Sequence, residues 1–264
     1  RAPPLSLTPL PSLPEPTRLP PHSETLNTMS VSPDGSRLAA ATNAGITLYQ
    51  LPDFAPLETI VEGNVGEIAW SPDGRFLAGS GPNQVIHVWD SSAGNEVAQL
   101  AGSATALAWS PDSSQLLLGG ANGQVSLWPI EQEAIANSWN DHSGPINQIA
   151  WSPDGSRFAS GSGSSAIWFR SVDGTGDEGS SFRQNGVHGL AWSPDGNRLA
   201  TAGADGTIRL ETVSSGQLQT LNCSGNDPLS IVWLDENTVA TGSEDGQIRV
   251  CNVHDRQPAP TSDN

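Results

Sequence analysis

The densest cluster of oxygen ligands in the chain is SVDGTGDEG, where Asp173, Asp177 and Glu178 could close around Ca²⁺. A loop of that kind is completed by a bidentate carboxylate further along, and none follows at that spacing. A solvated loop is therefore the expectation. The same stretch holds GTGDEG, which fits the phosphate-cradling pattern G-x-G-x-x-G. That pattern delivers phosphate to a helix N-terminus, whereas Gly174 to Gly179 joins two strand-like runs. The five His are scattered, with no pair at metal-ligand spacing. No HExxH, CxxC, GxSxG or P-loop signature occurs. Asn222-Cys223-Ser224 is a formal glycosylation sequon and no more. Neither a cofactor nor a metal is expected, and no set of residues makes a convincing catalytic centre.

Carboxylates do recur at a fixed place. SPDG starts at Ser32, Ser71, Ser152 and Ser193, and at Ser110 as SPDS. Pro presets φ for the first central position of a turn, Asp caps it through its carboxylate, and Gly supplies positive φ. Asp34, Asp73, Asp154 and Asp195 are therefore hairpin residues, one per unit and never gathered in one place. The Arg that follow the turns (Arg37, Arg75, Arg157, Arg198) are expected to pair locally with these Asp.

The turns mark a repeat. Pro33, Pro72, Pro111, Pro153 and Pro194 stand 39, 39, 42 and 41 residues apart, and Trp192 to Trp233 is again 41. The sixth unit, IVWLDENTVATGSEDGQIRV, keeps the Trp but lacks the Pro. Each unit reads as an apolar run ending in Trp, the turn, a second strand such as RLATAG, a Gly-containing turn, an alternating strand such as TIRLET, and a fourth strand such as QLQTLN. In the first unit Val31 stands where the others have Trp. Four short strands per unit with turns between them predict an all-β fold.

The consensus AWSPDGxxLASGSxDGxIxLWD resembles the WD40 repeat, in its SPDG-rich bacterial form, over about residues 17–252. The name-giving dipeptide survives as Trp89-Asp90 and in part as Trp128-Pro129. The Gly-His position is matched by Asp141-His142, and more distantly by Pro21-His22. The resemblance implies a β-propeller of four-stranded blades, here six, closed by an N-terminal strand at about residues 14–19 that completes the last blade. A seven-bladed or open ring is the alternative. The expected organisation is a Pro-rich arm at 1–13, the propeller at 14–253 and a tail at 254–264. Of the family's buried polar network, His142 has Ser160 but no matching Asp, while Asp205 and Asp245 lack the His. A propeller enzyme of the hydrolase or lactonase type would need converging side chains on the axis, where only Glu67 and His188 are offered.

Composition narrows the partners. The net charge is −17, and the eleven basic residues are all Arg, so nucleic-acid phosphates and anionic membranes are disfavoured. No apolar run approaches the ~20 residues of a membrane-spanning helix. The nine Trp point to a specific packing role. Cys223 and Cys251 define no disulfide framework and are expected as small core residues, although a bond between them stays open.

With chemistry excluded, the residues suited to binding are loops and the arm. One edge of the propeller is expected to collect Glu24, Glu62, Asp141, Asp205, Asp227, Glu244 and Asp245, against Arg183 as its Arg. That acidic face would steer a basic partner. The arm offers Pro3, Pro4, Leu5, Leu7, Pro9, Leu10, Pro11, Leu13 and Pro14 as an extended docking segment. The expected function is a non-catalytic protein-interaction scaffold. An accessory subunit of a larger, membrane-associated assembly on the periplasmic or extracellular side is the favoured form, with a cytoplasmic setting as the alternative. The alternative function is a sensor domain of a longer chain such as a receptor kinase.

Overall fold

The computed structural model describes residues 24–81, 84–163, 166–174, 180–221 and 227–254, apart from the side chains of Glu62, Ala166 and residues 180–183. Within them the chain forms six antiparallel sheets, five of four strands and one of three. Each sheet is built from consecutive strands, as local hairpins require. The first sheet holds Leu26–Val31, Arg37–Thr42, Gly45–Gln50 and Ala55–Glu62. The next three span residues 68–101, 106–139 and 146–183. The fifth holds Val187–Trp192, Arg198–Gly203, Ile208–Thr212 and Gln217–Leu221. The sixth holds Pro228–Asp235, Thr238–Ser243 and Ile248–Asn252. Residues 14–19, expected to complete this last sheet, lie outside the described residues, as do the arm and the tail.

The SPDG turns behave as their chemistry dictates. In each copy the Ser Oγ–H donates to its Asp Oδ1, at 2.6 Å for Ser32 and 2.5 Å for Ser193, and the Ser carbonyl accepts the N–H three residues on. The hydroxyl of Ser32 draws the Asp34 carboxyl down to about 2, helped by the backbone and side chain of Ser36. At Ser113 the turn needs φ of 62° without a Gly. There the side chain has another use: its Oγ accepts the Asp73 N–H of the preceding sheet at 3.1 Å.

Three of the Arg after the turns reach beyond the Asp of their own turn. Arg37 donates to the Ser91 carbonyl of the second sheet, and Arg198 donates to the Glu236 carbonyl while its guanidinium stacks over Trp233 of the sixth. Arg75 reaches Asp90 at 3.9 Å rather than its own turn. The turn carboxylates are already saturated by Ser hydroxyls and N–H groups, so the long Arg side chains reach elsewhere.

Packing runs from sheet to sheet. Five apolar cores lie between successive sheets, and each has the same plan. Ala39, Ala41, Ile46 and Leu48 of the first sheet are covered by Ile68, Trp70, Leu77 and Trp89 of the second. Ala200, Ala202, Ile208 and Leu210 of the fifth are covered by Ile231, Val239 and Cys251 of the sixth, with Trp233 at the edge. The second strands of the fourth and fifth sheets, RFASGS and RLATAG, are rich in small residues and are covered on both faces. The Trp that ends each first strand also ties the sheets together. The indole N–H of Trp70, Trp109, Trp151, Trp192 and Trp233 donates at 2.9–3.1 Å to the carbonyl of Ser30, Ala69, Ala108, Ala150 and Ala191 in the sheet before. Four first strands share a bulge five residues before the Trp position, beginning at Leu26, Ile146, Val187 and Pro228.

Cys251 is buried and disulfide-bonded, which corrects the expectation of a free core thiol there. Cys223, the other cysteine of the sequence, lies outside the described residues.

Candidate interaction surface

Among the described residues, the loops that join the fourth strand of one sheet to the first of the next, and the second strand to the third, emerge on one edge of the stack. Antiparallel order alone places them there, and it gathers the predicted acidic residues. Glu24 precedes the first strand, Asp141 and Asp227 precede the first strands of their sheets, and Asp205, Glu244 and Asp245 lie in second-to-third turns. Glu62 ends a fourth strand on the same edge, with its side chain outside the described set, as is that of Arg183.

Arg neutralise three of these acids, and the sequence did not pair them. Arg170 grips Asp141 with two bonds, Nε to Oδ2 at 2.8 Å and Nη2 to Oδ1 at 2.5 Å. Arg209 pairs with Asp205 at 2.9 Å, and Arg249 with Asp245 at 2.5 Å. The last two follow from one rule: the turn Asp and the second residue of the third strand lie four positions apart, on the same side of a tight hairpin. Burial pushes the Asp205 carboxyl up, but hydrogen bonds from the Thr207 hydroxyl and N–H and the Arg209 charge bring it below its ordinary value. The Asp245 carboxyl is lowered mainly by its bond to Arg249. Glu24 and Glu244 are exposed, and Glu244 donates its N–H to the Asp227 carbonyl at 3.2 Å.

The polar residues behind these loops are structural. His142 Nε2 meets Ser160 Oγ at 2.9 Å, and burial pushes its imidazole down against the opposing pull of Asp141. In the next sheet Gln184 takes the His role: its amide donates to the Thr207 carbonyl, and Thr201 donates to its oxygen. Sequence reasoning sought His here and missed the Gln.

Beside the acidic loops, between the second and third sheets, opens a cleft of about 420 Å³ lined by Ile86, Leu100, Leu118 and Ile135 with Asn122 and Gln124 at its rim. Of the two axial candidates, desolvation raises the Glu67 carboxyl to about 7. His188 Nδ1 faces the Pro228 carbonyl at 3.3 Å. Asp173 accepts from Ser171 Oγ at 2.6 Å, while Asp177 and Glu178 lie outside the described residues. Among the described residues no three His, Cys, Asp or Glu gather where they could hold a metal ion. Nor is any helix there long and apolar enough to cross a membrane.

Stacked four-stranded sheets, tied by one Trp each and presenting their loops on a common edge, define a propeller-like repeat protein. The chain belongs to the WD40 family (WD domain, G-beta repeat), whose repeats match residues 56–90, 94–129, 134–169 and 177–210, more than half of its length. No curated protein matches it. Among solved structures 1719 chains match, so the fold by itself singles out no function. One is a chain of a structure titled "Crystal Structure of Mitotic Checkpoint Complex", with a TM-score of 0.77 and 21% identity, covering 89% of this chain and 77% of that one.

Proposed function

We propose that the protein is a non-catalytic interaction scaffold that engages a protein partner through the loop edge. The observation that carries this reading is the combination, on one edge, of exposed Glu24, exposed Glu244 bonded through its N–H to the Asp227 carbonyl, and a cleft with an aliphatic floor and polar rim. Rigid sheets hold such loops in place at little entropic cost, and binding residues concentrate on loops for that reason. The partner carries a basic patch, which the net charge of −17 steers toward the edge. The Pro-rich arm of residues 1–13 is a second docking segment, and residues 14–19 supply the fourth strand of the sixth sheet. An accessory subunit in an exported, oxidising setting is supported by the disulfide at Cys251, since such bonds persist there.

The test is co-purification of partners with the tagged chain, in parallel with the triple variant E24K/D227K/E244K. These positions lack the Arg partners of Asp141, Asp205 and Asp245, so the reversal leaves no Arg stranded. The expected result is loss of the partner with an unchanged melting curve. Equal recovery on wild type and variant rejects the acidic edge as the binding surface.

A further inference from the structure

The sequence holds seven Asp-Gly and two Asn-Gly pairs, and such a pair has a chemistry of its own. The peptide nitrogen of the Gly can attack the side-chain carbonyl carbon of the residue before it, because no Cβ blocks the approach. An amide carbon, which can release ammonia, is open to that attack. The pairs to compare are therefore Asn122-Gly123 and Asn185-Gly186.

The fold disarms eight of the nine pairs. In each of these the Gly N–H donates to the carbonyl three residues back, at 2.8–3.3 Å. That bond retains the proton that the nitrogen must lose, and it fixes the nitrogen in a tight turn. Asn122-Gly123 is of this kind. Gly123 N–H donates to the Gly120 carbonyl at 3.1 Å, and Asn122 Oδ1 accepts the Gln124 N–H at 3.1 Å. Gly123 is also buried, and a Cβ there would overlap the His142 carbonyl, so the turn is pressed against the chain behind it.

Asn185-Gly186 is the exception. It lies between the fourth strand of the fourth sheet and the first strand of the fifth, on the loop edge. Asn185 is exposed. Among the described residues no acceptor takes the Gly186 N–H, and no group bonds the Asn185 amide. The peptide is held from its far side instead, where the Gly186 carbonyl accepts the Ala204 N–H at 2.8 Å. The nucleophile is thus kept in place beside an unbound amide.

We infer that Asn185 is the site at which the folded chain deamidates without an enzyme. The Gly186 nitrogen gives up its proton and bonds to Asn185 Cγ. The Cγ–Nδ2 bond breaks, and the amide nitrogen leaves as ammonia with that proton. Water then opens the cyclic imide at one carbonyl or the other. One product is an aspartate, and the other is an isoaspartate whose backbone runs through the side-chain carbon. Either product adds a negative charge to the loop edge. The isoaspartate also lengthens the chain between Gln184, which bonds Thr201 and Thr207, and Gly186, which bonds Ala204. It therefore pulls on the turn that carries Asp205. The reaction is independent of which partner the edge engages, so it goes beyond the scaffold reading.

The test ages the full chain in neutral and mildly alkaline buffer, and peptide mapping by mass spectrometry reads the acid formed at Asn185 and at Asn122. A parallel sample in denaturant is the reference. In the native chain Asn185 should convert about ten-fold faster than Asn122, the factor that one retained hydrogen bond supplies. In denaturant the two rates should converge, and mildly alkaline buffer should speed both. N185Q is at an exposed position and should keep the wild-type melting curve. It should end acid formation at that peptide, because its longer side chain closes a ring more slowly. Equal native rates at the two Asn overturn the inference, as does an Asn185 that outlasts Asn122. A rate difference that persists undiminished in denaturant overturns it as well, since the neighbouring sequence and not the fold would then set the rates.

Discussion

The fifth and sixth sheets are almost the same piece of local structure in opposite surroundings. Both run Ala-Thr into a turn, Asp-Gly, then Ile-Arg. The turn bonds agree closely: Gly203 N–H to the Thr207 carbonyl at 3.0 Å, and Ser243 N–H to the Gln247 carbonyl at 3.1 Å. Each turn Asp takes the Arg four residues on. Yet Ile208 is buried and Ile248 is exposed, because the sixth sheet lies on one and no described sheet lies on the other. Hairpin chemistry sets the strand, and the neighbour sets the energy.

The largest contrast to test is therefore Ile208→Ala against Ile248→Ala. The first should cost about 2–5 kcal/mol, as a buried large-to-small change does. The second should stay within about 0.5 kcal/mol. Denaturant melts of both variants decide it: equal losses would mean that the sixth flank is covered in solution, and the contrast would collapse.

A smaller effect is expected from the Trp ties. Trp192→Phe keeps most of the ring in the junction between the fourth and fifth sheets but strands the Ala150 carbonyl, at a cost of about 1 kcal/mol. Val31→Trp should give no gain in the free chain, since no described sheet packs across the first flank. A rise in Tm for the Val31 variant would instead point to closure of the first sheet on the sixth.

The smallest effect concerns acid. The fifth sheet has the Ser193–Asp195 turn and the sixth has LDEN in its place. Burial pushes the Asp195 carboxyl up, but bonds from Ser193 and Asn197 outweigh it and bring it from 3.8 to about 2. A depressed carboxylate stabilises the fold above its unfolded value of 3.8, and that contribution is lost as pH falls toward 2. D195N should flatten this part of the acid melting profile. A variant profile as steep as the wild type would show that the turn carboxylate is not its source.

Much of this was readable in the residues. The 39- to 42-residue spacing, the SPDG turns and the Trp positions are local, so they gave the unit, its four strands and the family. Val31, the exception to the Trp rule, was visible as well, but its meaning was not. The Trp donors act across 40 to 43 residues, and only the folded stack shows which carbonyl each one meets. Antiparallel order fixes where loops emerge, so the position of the loop acids along the chain follows from the strand order. What the sequence did not show is that Asp141 meets Arg170, which lies 29 residues on, on the third strand of the same sheet.

Sequence alone thus determined the strand, the turn and the repeat, which depend on φ preferences and on hydrogen bonds spanning a few residues. Tertiary structure alone decided which faces are buried, where the Arg go, and that Ile248 and Val250 of the sixth sheet stand exposed while their counterparts in the fifth are buried. Burial depends on what lies on the other side of a sheet, and the aligned Ile208 and Ile248 show that the same residue in the same turn can have either fate.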